Sequence, residues 1–276
     1  MKTYRIAQLH NNSDLRDDLF EGRIIRLPMC EAVNSLISAM RTRLVQAVGC
    51  EDPQSALDIM EPGDLWDRLG NLRREIAGLS WDQYSGTIIK AAGLPCRGVL
   101  VDGLRLRVVV PAHLRTPQMA KAYLPHRDTW FANPRQQINI WMPLADLTED
   151  QSFAFYPSVF NAPVQNNSAA FDFKDFITNA GWQGANTQQA KSAVVYPTVE
   201  EPLPTPLQRF ALQCGESILF SASHLHQTMP NTSTFIRYSL DFRFVDPADV
   251  EAGHGAPDLD NASRGLAEAL ATYRML

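Results

Sequence analysis

Apolar positions in the first third of the chain recur with a helical period. From Val33 they continue at Leu36, Ile37, Met40, Leu44, Val45 and Val48, which is the i, i+3, i+4, i+7 face of an amphipathic helix. Gly49 then supplies a stop. Two further helices are predicted over residues 64–77, with Leu65, Leu69, Leu72 and Ile76 in the stripe, and over residues 81–92. Three short helices make a poor core alone, so these stripes must be covered by something later in the chain. After Pro95 the period changes to that of strands: 99–101 and 104–110, with Asp102-Gly103 between them as a hairpin turn, then 137–144, 152–156, 192–196, 208–213, 217–222 and 235–245. Short strands without interleaved helices point to a sandwich, barrel or jelly roll, and away from a parallel α/β sheet. Residues 160–206 are poor in charge and rich in Asn, Gln, Ala and Pro. A connection of this length serves as a lid or binding loop, or is a surface insertion without a role. The tail from 261 to 276 reads as a closing helix with Leu266, Leu270 and Tyr273 on one face. It docks on the body or on a second subunit, so monomer and homodimer stay open.

Composition narrows this picture. The 276 residues are 45% apolar and 20% charged, which excludes global disorder. Acidic residues outnumber basic ones 30 to 25, a formal charge of −5, and this argues against nucleic-acid binding through a broad basic face. No apolar run reaches the length of a membrane span. The opening MKTYRIAQLHNNSD lacks the apolar region of a secretory signal. The four cysteines, Cys30, Cys50, Cys96 and Cys214, are scattered and form no CxxC pair, as expected of reduced thiols in a cytoplasmic protein.

The chemistry rests on few residues, for there are only six histidines. His126-Arg127-Asp128 is an H-x-D. In an extended segment residues i and i+2 point the same way, so an imidazole and a carboxylate can share one metal. A facial site needs a second imidazole from elsewhere, with three positions left open. His224-Leu225-His226 follows the strand-like run GESILFSAS, and Arg237 lies eleven positions beyond His226. In the strand that follows, Arg237 and Ser239 share one face, with Tyr238, Leu240, Phe242 and Phe244 on the other. A guanidinium that forks to both oxygens, with a hydroxyl beside it, is a natural clamp for a carboxylate.

Taken in order, His126-x-Asp128, then His226 with Pro230-Asn231, then Arg237-x-Ser239, the chain resembles the iron(II)- and 2-oxoglutarate-dependent oxygenases. Within them it is most similar to the phytanoyl-CoA dioxygenase-like branch, over residues 99–245. The resemblance implies a mainly β fold with flanking α: a double-stranded β-helix (jelly roll) with the N-terminal helices packed on the sheet. Because the candidate site residues run from His126 to Arg237 and the helical stripes need the sheet to cover them, the chain reads as one catalytic domain over 1–276, with a helical jacket (1–95), a core (96–250) carrying the 160–206 lid, and a tail (251–276). Fe(II) would be held by His126, Asp128 and His226. Arg237 would take the distal carboxylate of 2-oxoglutarate with Ser239 assisting, and Asn139 would lie near its chelating end. O2 would be the oxidant, and an unactivated carbon of a small molecule would be oxidised with release of succinate and carbon dioxide. Related halogenases have a small residue in place of the carboxylate, so Asp128 favours hydroxylation or another oxidation over halogenation. Candidate substrate contacts are Trp130, Arg105, Phe171 and Trp182. No basic cluster suggests a coenzyme A phosphate site.

Each piece has a plainer alternative. Arg237 could pair with Asp241 along its own strand. His224 could replace His226, although only His226 has the family's spacing to Arg237. Trp130 and Trp141 could be packing residues, and Arg105 and Arg107 form either a polar interior face or a solvated one. A jelly-roll metalloenzyme without 2-oxoglutarate, such as an isomerase, would keep the metal ligands and have no need of Arg237 and Ser239. A non-catalytic binding protein on this scaffold would need neither.

Overall fold

The computed structural model describes residues 7–8, 15–115, 123–179, 195–204 and 207–276. The N-terminal part is helical as the periodicity predicts: α1 (Leu15–Phe20), α2 (Glu31–Val48), α3 (Pro62–Gly78) and α4 (Asp82–Ala91). Gly49 closes α2 in the left-handed conformation (φ 75°), its N–H bonded to Val45 O at 2.7 Å.

Strands β1 (Ala7–Gln8), β2 (Ile25–Leu27), β3 (Leu100–Val101), β4 (Arg105–Val109), β5 (Ile138–Pro143), β6 (Phe153–Phe155), β7 (Ser217–Ser221), β8 (His226–Thr228), β9 (Arg237–Val245) and β10 (Arg274–Met275) form two sheets. The large one runs β1-β2-β7-β5-β9-β3-β10, with β4 also on β9. Its pairings are antiparallel except β1 with β2. The small one pairs β6 with β8, and single bridges extend it to His126 and Gln208.

Alternation along β5 and β9 sorts two cores. Ile138, Ile140 and Met142 of β5, with Tyr238, Leu240, Phe242 and Phe244 of β9, pack against the α2, α3 and α4 stripes in one apolar cluster. On the opposite face Trp141, Ile218 and Phe220 meet Phe153, Phe155, Phe210 and Leu212, so the small sheet covers part of the large one. Phe242 is fully buried between sheet and helices. Phe242→Ala is expected to cost about 3–5 kcal/mol through lost transfer energy and the cavity left behind, read as a lowered midpoint in urea unfolding.

Four expectations change. Asp102-Gly103 does not close a hairpin: β3 and β4 lie in succession along β9, with Leu100 opposite Val245 and Arg105 opposite Asp241. The Asp102 side chain interrupts the ladder by accepting the Arg243 N–H at 2.7 Å. Residues 208–213 make only single bridges, Gln208 to Phe155 and Leu212 to Leu147. The 160–206 segment contains a helix, α5 (Phe173–Asn179), and Asn166 bridges Val199; most of the predicted 192–196 strand lies outside the described residues. After α6 (Pro247–Ala252), the tail is a single-turn helix, α7 (Leu266–Leu270), and then β10, which pairs with β3. Gly265, at φ 99°, and the pairing of Arg274 with Val101 bound that helix on either side. Among the described residues no helix is long and apolar enough to cross a membrane.

Candidate metal centre

His126 and His226 face each other across a β-bridge, each N–H bonded to the other's carbonyl at 3.0 Å. Asp128 opens a short 3-10 turn, Asp128–Phe131, and its N–H is tied to Ala222 O at 2.9 Å. One ligand atom from each of His126, Asp128 and His226 lies within 4.8 Å of the other two, and both histidines are half-buried while Asp128 is buried. His126 Nε2 is 3.7 Å from Asp128 Oδ1. Such a set could close around one divalent ion. Backbone carbonyls select the tautomers: His126 Nδ1 donates to Leu124 O at 2.8 Å and His226 Nδ1 to His224 O at 2.9 Å. That leaves each Nε2 as a free lone pair, the arrangement by which outer hydrogen bonds orient metal-binding imidazoles.

His224 plays another part. It is buried, with Nδ1 3.2 Å from Ser221 O and Nε2 3.2 Å from Gly22 O, and it packs on Phe155 and Phe160. Burial pushes it down to about 4. Burial, with His126 alongside, likewise pushes His226 down to about 3 against the pull of Asp128. Burial alone would raise Asp128; Arg243 Nη2, 3.5 Å from Oδ1, instead holds its carboxyl well below the usual range. Two neutral imidazoles and one carboxylate are a donor set for a divalent cation, and the facial arrangement suits iron(II).

The floor beside the cluster is polar because the inner faces of β4, β5 and β9 carry charged and amide side chains. Gln137 precedes β5 and Asn139 lies within it; their amides donate to Asp128 Oδ2 at 3.2 and 2.8 Å. Arg107 forks onto Asp241 at 2.6 and 3.0 Å. Arg105 pairs with Asp102 and lies 4.0 Å from Asp241. Arg105 is half-buried and Arg107 exposed, and Asp241 is engaged by both.

Arg237 is different. It is 5% exposed, its Nη1 donates to the Gln151 carbonyl at 2.6 Å, and its Nε has no partner. Burial lowers it to about 10. Ser239, on the same face two residues along, is fully buried with its hydroxyl also unpartnered. A buried guanidinium without a carboxylate is costly, and buried unsatisfied groups in a native structure require an explanation. An incoming carboxylate satisfies both groups.

The substrate candidates fall elsewhere. Trp130 is fully buried in a cluster with Tyr156, Val164 and Leu225, and its Nε1 donates to Asp260 at 2.8 Å. It is a packing residue, the plainer of the two sequence readings. Phe171 is buried among Phe131, Phe173 and Phe176. Phe131 separates it from the metal site, packing edge-on against both Phe171 and His126. Arg105 is committed to Asp102, and Trp182 lies outside the described residues. Asp260 also binds buried Arg127 at 3.1 Å and the Val164 N–H at 2.9 Å. Asp260→Ala is therefore expected to destabilise by about 3–5 kcal/mol, since it leaves Arg127 buried and uncompensated; thermal unfolding checks this. Sequence reasoning missed Arg243 and Tyr273. Arg243 had a signal, since it continues the Arg237, Ser239, Asp241 face, whereas nothing local marks Tyr273.

No family model matches the chain, and no curated protein matches it. Solved structures share its fold. EvdO2 from Micromonospora carbonacea var. aurantiaca superposes with a TM-score of 0.51 at 12% identity, covering 88% of this chain and 94% of that one. The non-haem monooxygenase ThoJ, in its apo form, gives 0.50 at 13% identity, covering 85% and 78%. EvdO2 complexed with 2-oxoglutarate gives 0.49 at 12% identity, covering 88% and 94%.

Proposed function

We propose that the chain is an iron(II)- and 2-oxoglutarate-dependent oxygenase of the phytanoyl-CoA dioxygenase-like kind, built as one catalytic unit on a jelly roll. The observation that carries this reading is the pair of unpartnered buried groups, Arg237 Nε and Ser239 Oγ, on the sheet face that also carries the supports of the metal ligands. A metalloenzyme without a dicarboxylate cosubstrate has no use for them. The shared fold with a non-haem monooxygenase agrees with it.

In this reading His126 and His226 present neutral Nε2 atoms, and Asp128 adds one anionic oxygen. Together they would hold Fe(II) and leave room for the cosubstrate and oxygen. When bound, iron supplies oxygen activation coupled to decarboxylation of the cosubstrate, giving succinate and carbon dioxide and oxidising a substrate carbon. Arg237 forks onto the distal carboxylate and Ser239 donates one further hydrogen bond. This orients the cosubstrate, and the favourable pairing replaces a buried, poorly satisfied cation. Phe131 against His126, and Phe153 and Phe220 against His226, wall the ligands with rings and keep water away from that side. The substrate is a small molecule, and the intact Asp128 suits hydroxylation or a related oxidation.

Purified protein supplied with iron(II), ascorbate, oxygen and 2-oxoglutarate is expected to release succinate, even without the true substrate, at a slow rate that requires added iron. A chain that holds iron but never consumes 2-oxoglutarate would refute the proposal.

A further inference from the structure

The last residues of the chain reach the metal site. Tyr273 sits between α7 and β10, and its hydroxyl donates to Gln137 Oε1 at 2.6 Å. A carboxamide has one accepting end and one donating end. With Oε1 occupied by the phenol, Gln137 Nε2 faces inward, 2.9 Å from Asn139 Oδ1 and 3.2 Å from Asp128 Oδ2. Asn139, its own oxygen occupied in turn, directs Nδ2 to the same Asp128 oxygen at 2.8 Å. Every donor therefore points one way, from the tail towards the metal ligand. Reversing either amide would set a carbonyl oxygen against an ionised carboxylate, which only accepts. Gln137 and Asn139 are buried, so water does not readily substitute for a missing partner. Burial also pushes the Tyr273 phenol upward, so it remains a donor.

We propose that Tyr273 is a positioning residue for the metal: its hydroxyl aligns a one-way relay through Gln137 and Asn139 that fixes Asp128 as a one-oxygen ligand. With two amide donors on Oδ2, the oxygen left for the ion is Oδ1, the atom 3.7 Å from His126 Nε2. Arg243, 3.5 Å from that same oxygen, balances its charge. A carboxylate held by one oxygen leaves one more coordination position open than a chelating carboxylate does. The tail is anchored independently of the relay. Arg274 Nε binds Asp82 at 2.6 Å, β10 pairs with β3, and the Leu276 N–H bonds Val99 O at 3.0 Å. This inference rests on the metal reading of His126, Asp128 and His226.

The test uses Co(II), which binds such sites without oxygen chemistry, titrated into the full chain against a competing chelator. Tyr273→Phe keeps the ring and removes the hydroxyl. It is expected to weaken Co(II) binding about 10-fold, the lower end of what outer-shell partners of metal ligands contribute. The visible Co(II) spectrum is expected to change as Asp128 gains freedom to chelate. Arg274→Ala loosens the same segment outside the relay, and is expected to lower the melting temperature while leaving Co(II) affinity within about twofold of wild type. Wild-type affinity and spectrum in Tyr273→Phe would overturn the relay, as would equal loss of affinity in both variants. If wild type bound no Co(II), or His226→Ala bound it as tightly as wild type, the metal reading itself would fall.

Discussion

His226→Ala is expected to abolish tight iron(II) binding and, with it, all consumption of 2-oxoglutarate. The imidazole is one of the three proposed ligands, and its Nδ1 is already committed to His224 O at 2.9 Å. His224, two residues away, cannot take its place, because it is held between Ser221 O and Gly22 O. Outer partners of metal ligands are worth about 10–100-fold in affinity, so losing a ligand is expected to exceed about 100-fold. His224→Gln provides the contrast. It is expected to lower stability by about 1–3 kcal/mol, because buried hydrogen-bond partners are left unsatisfied, and to retain one iron per chain. Iron stoichiometry after desalting, beside a thermal melt, separates the two outcomes.

Arg237→Ala is expected to weaken 2-oxoglutarate binding while leaving iron stoichiometry unchanged. Truncating one partner of a buried, hydrogen-bonded charge pair costs about 2–5 kcal/mol, or roughly 30- to 5,000-fold. Among the described residues the two other arginines of this face are already engaged, Arg107 forked onto Asp241 and Arg243 beside Asp128. Arg237→Lys retains the charge and loses the fork, so its affinity is expected to fall between wild type and alanine. Titration of 2-oxoglutarate at fixed iron gives the order. Equal loss of iron and cosubstrate in Arg237→Ala would mean that the guanidinium supports the fold instead.

Much of this was legible in the chain because it is written in periodic patterns. The Leu36, Ile37, Met40, Leu44 stripe has one structural reading, and α2 spans Glu31–Val48 with Gly49 as its cap. Alternation in β9 separates Arg237 and Ser239 from Tyr238, Leu240, Phe242 and Phe244, and it is the second set that joins the helix-packed core. The misreadings fall where short range misleads. Asp102-Gly103 has hairpin composition, yet β9 is long enough to pair with β3 and β4 in succession. The strands β1, β2, β8 and β10 have two or three residues each, too few for a period to appear. The choice between His226 and His224 could not be made from side-chain direction, since both sit two residues apart in an extended segment. The turn after β7 sends His224 towards Gly22 instead. Trp130 looked like a substrate stacker or a core residue, and its partner Asp260 is too distant in sequence to have decided between them. Tyr273 and Gln137 are likewise more than a hundred positions apart, and the tail reaches Gln137 through long-range contacts such as the pairing of β10 with β3.

The most direct measurement of the central claim is calorimetric titration of 2-oxoglutarate into the iron(II)-loaded chain under anaerobic conditions. The expected result is one binding site per chain that requires the metal, is sharply weakened in Arg237→Ala and is absent in His226→Ala. A chain that holds one iron(II) ion and gives no saturable binding of 2-oxoglutarate would contradict it.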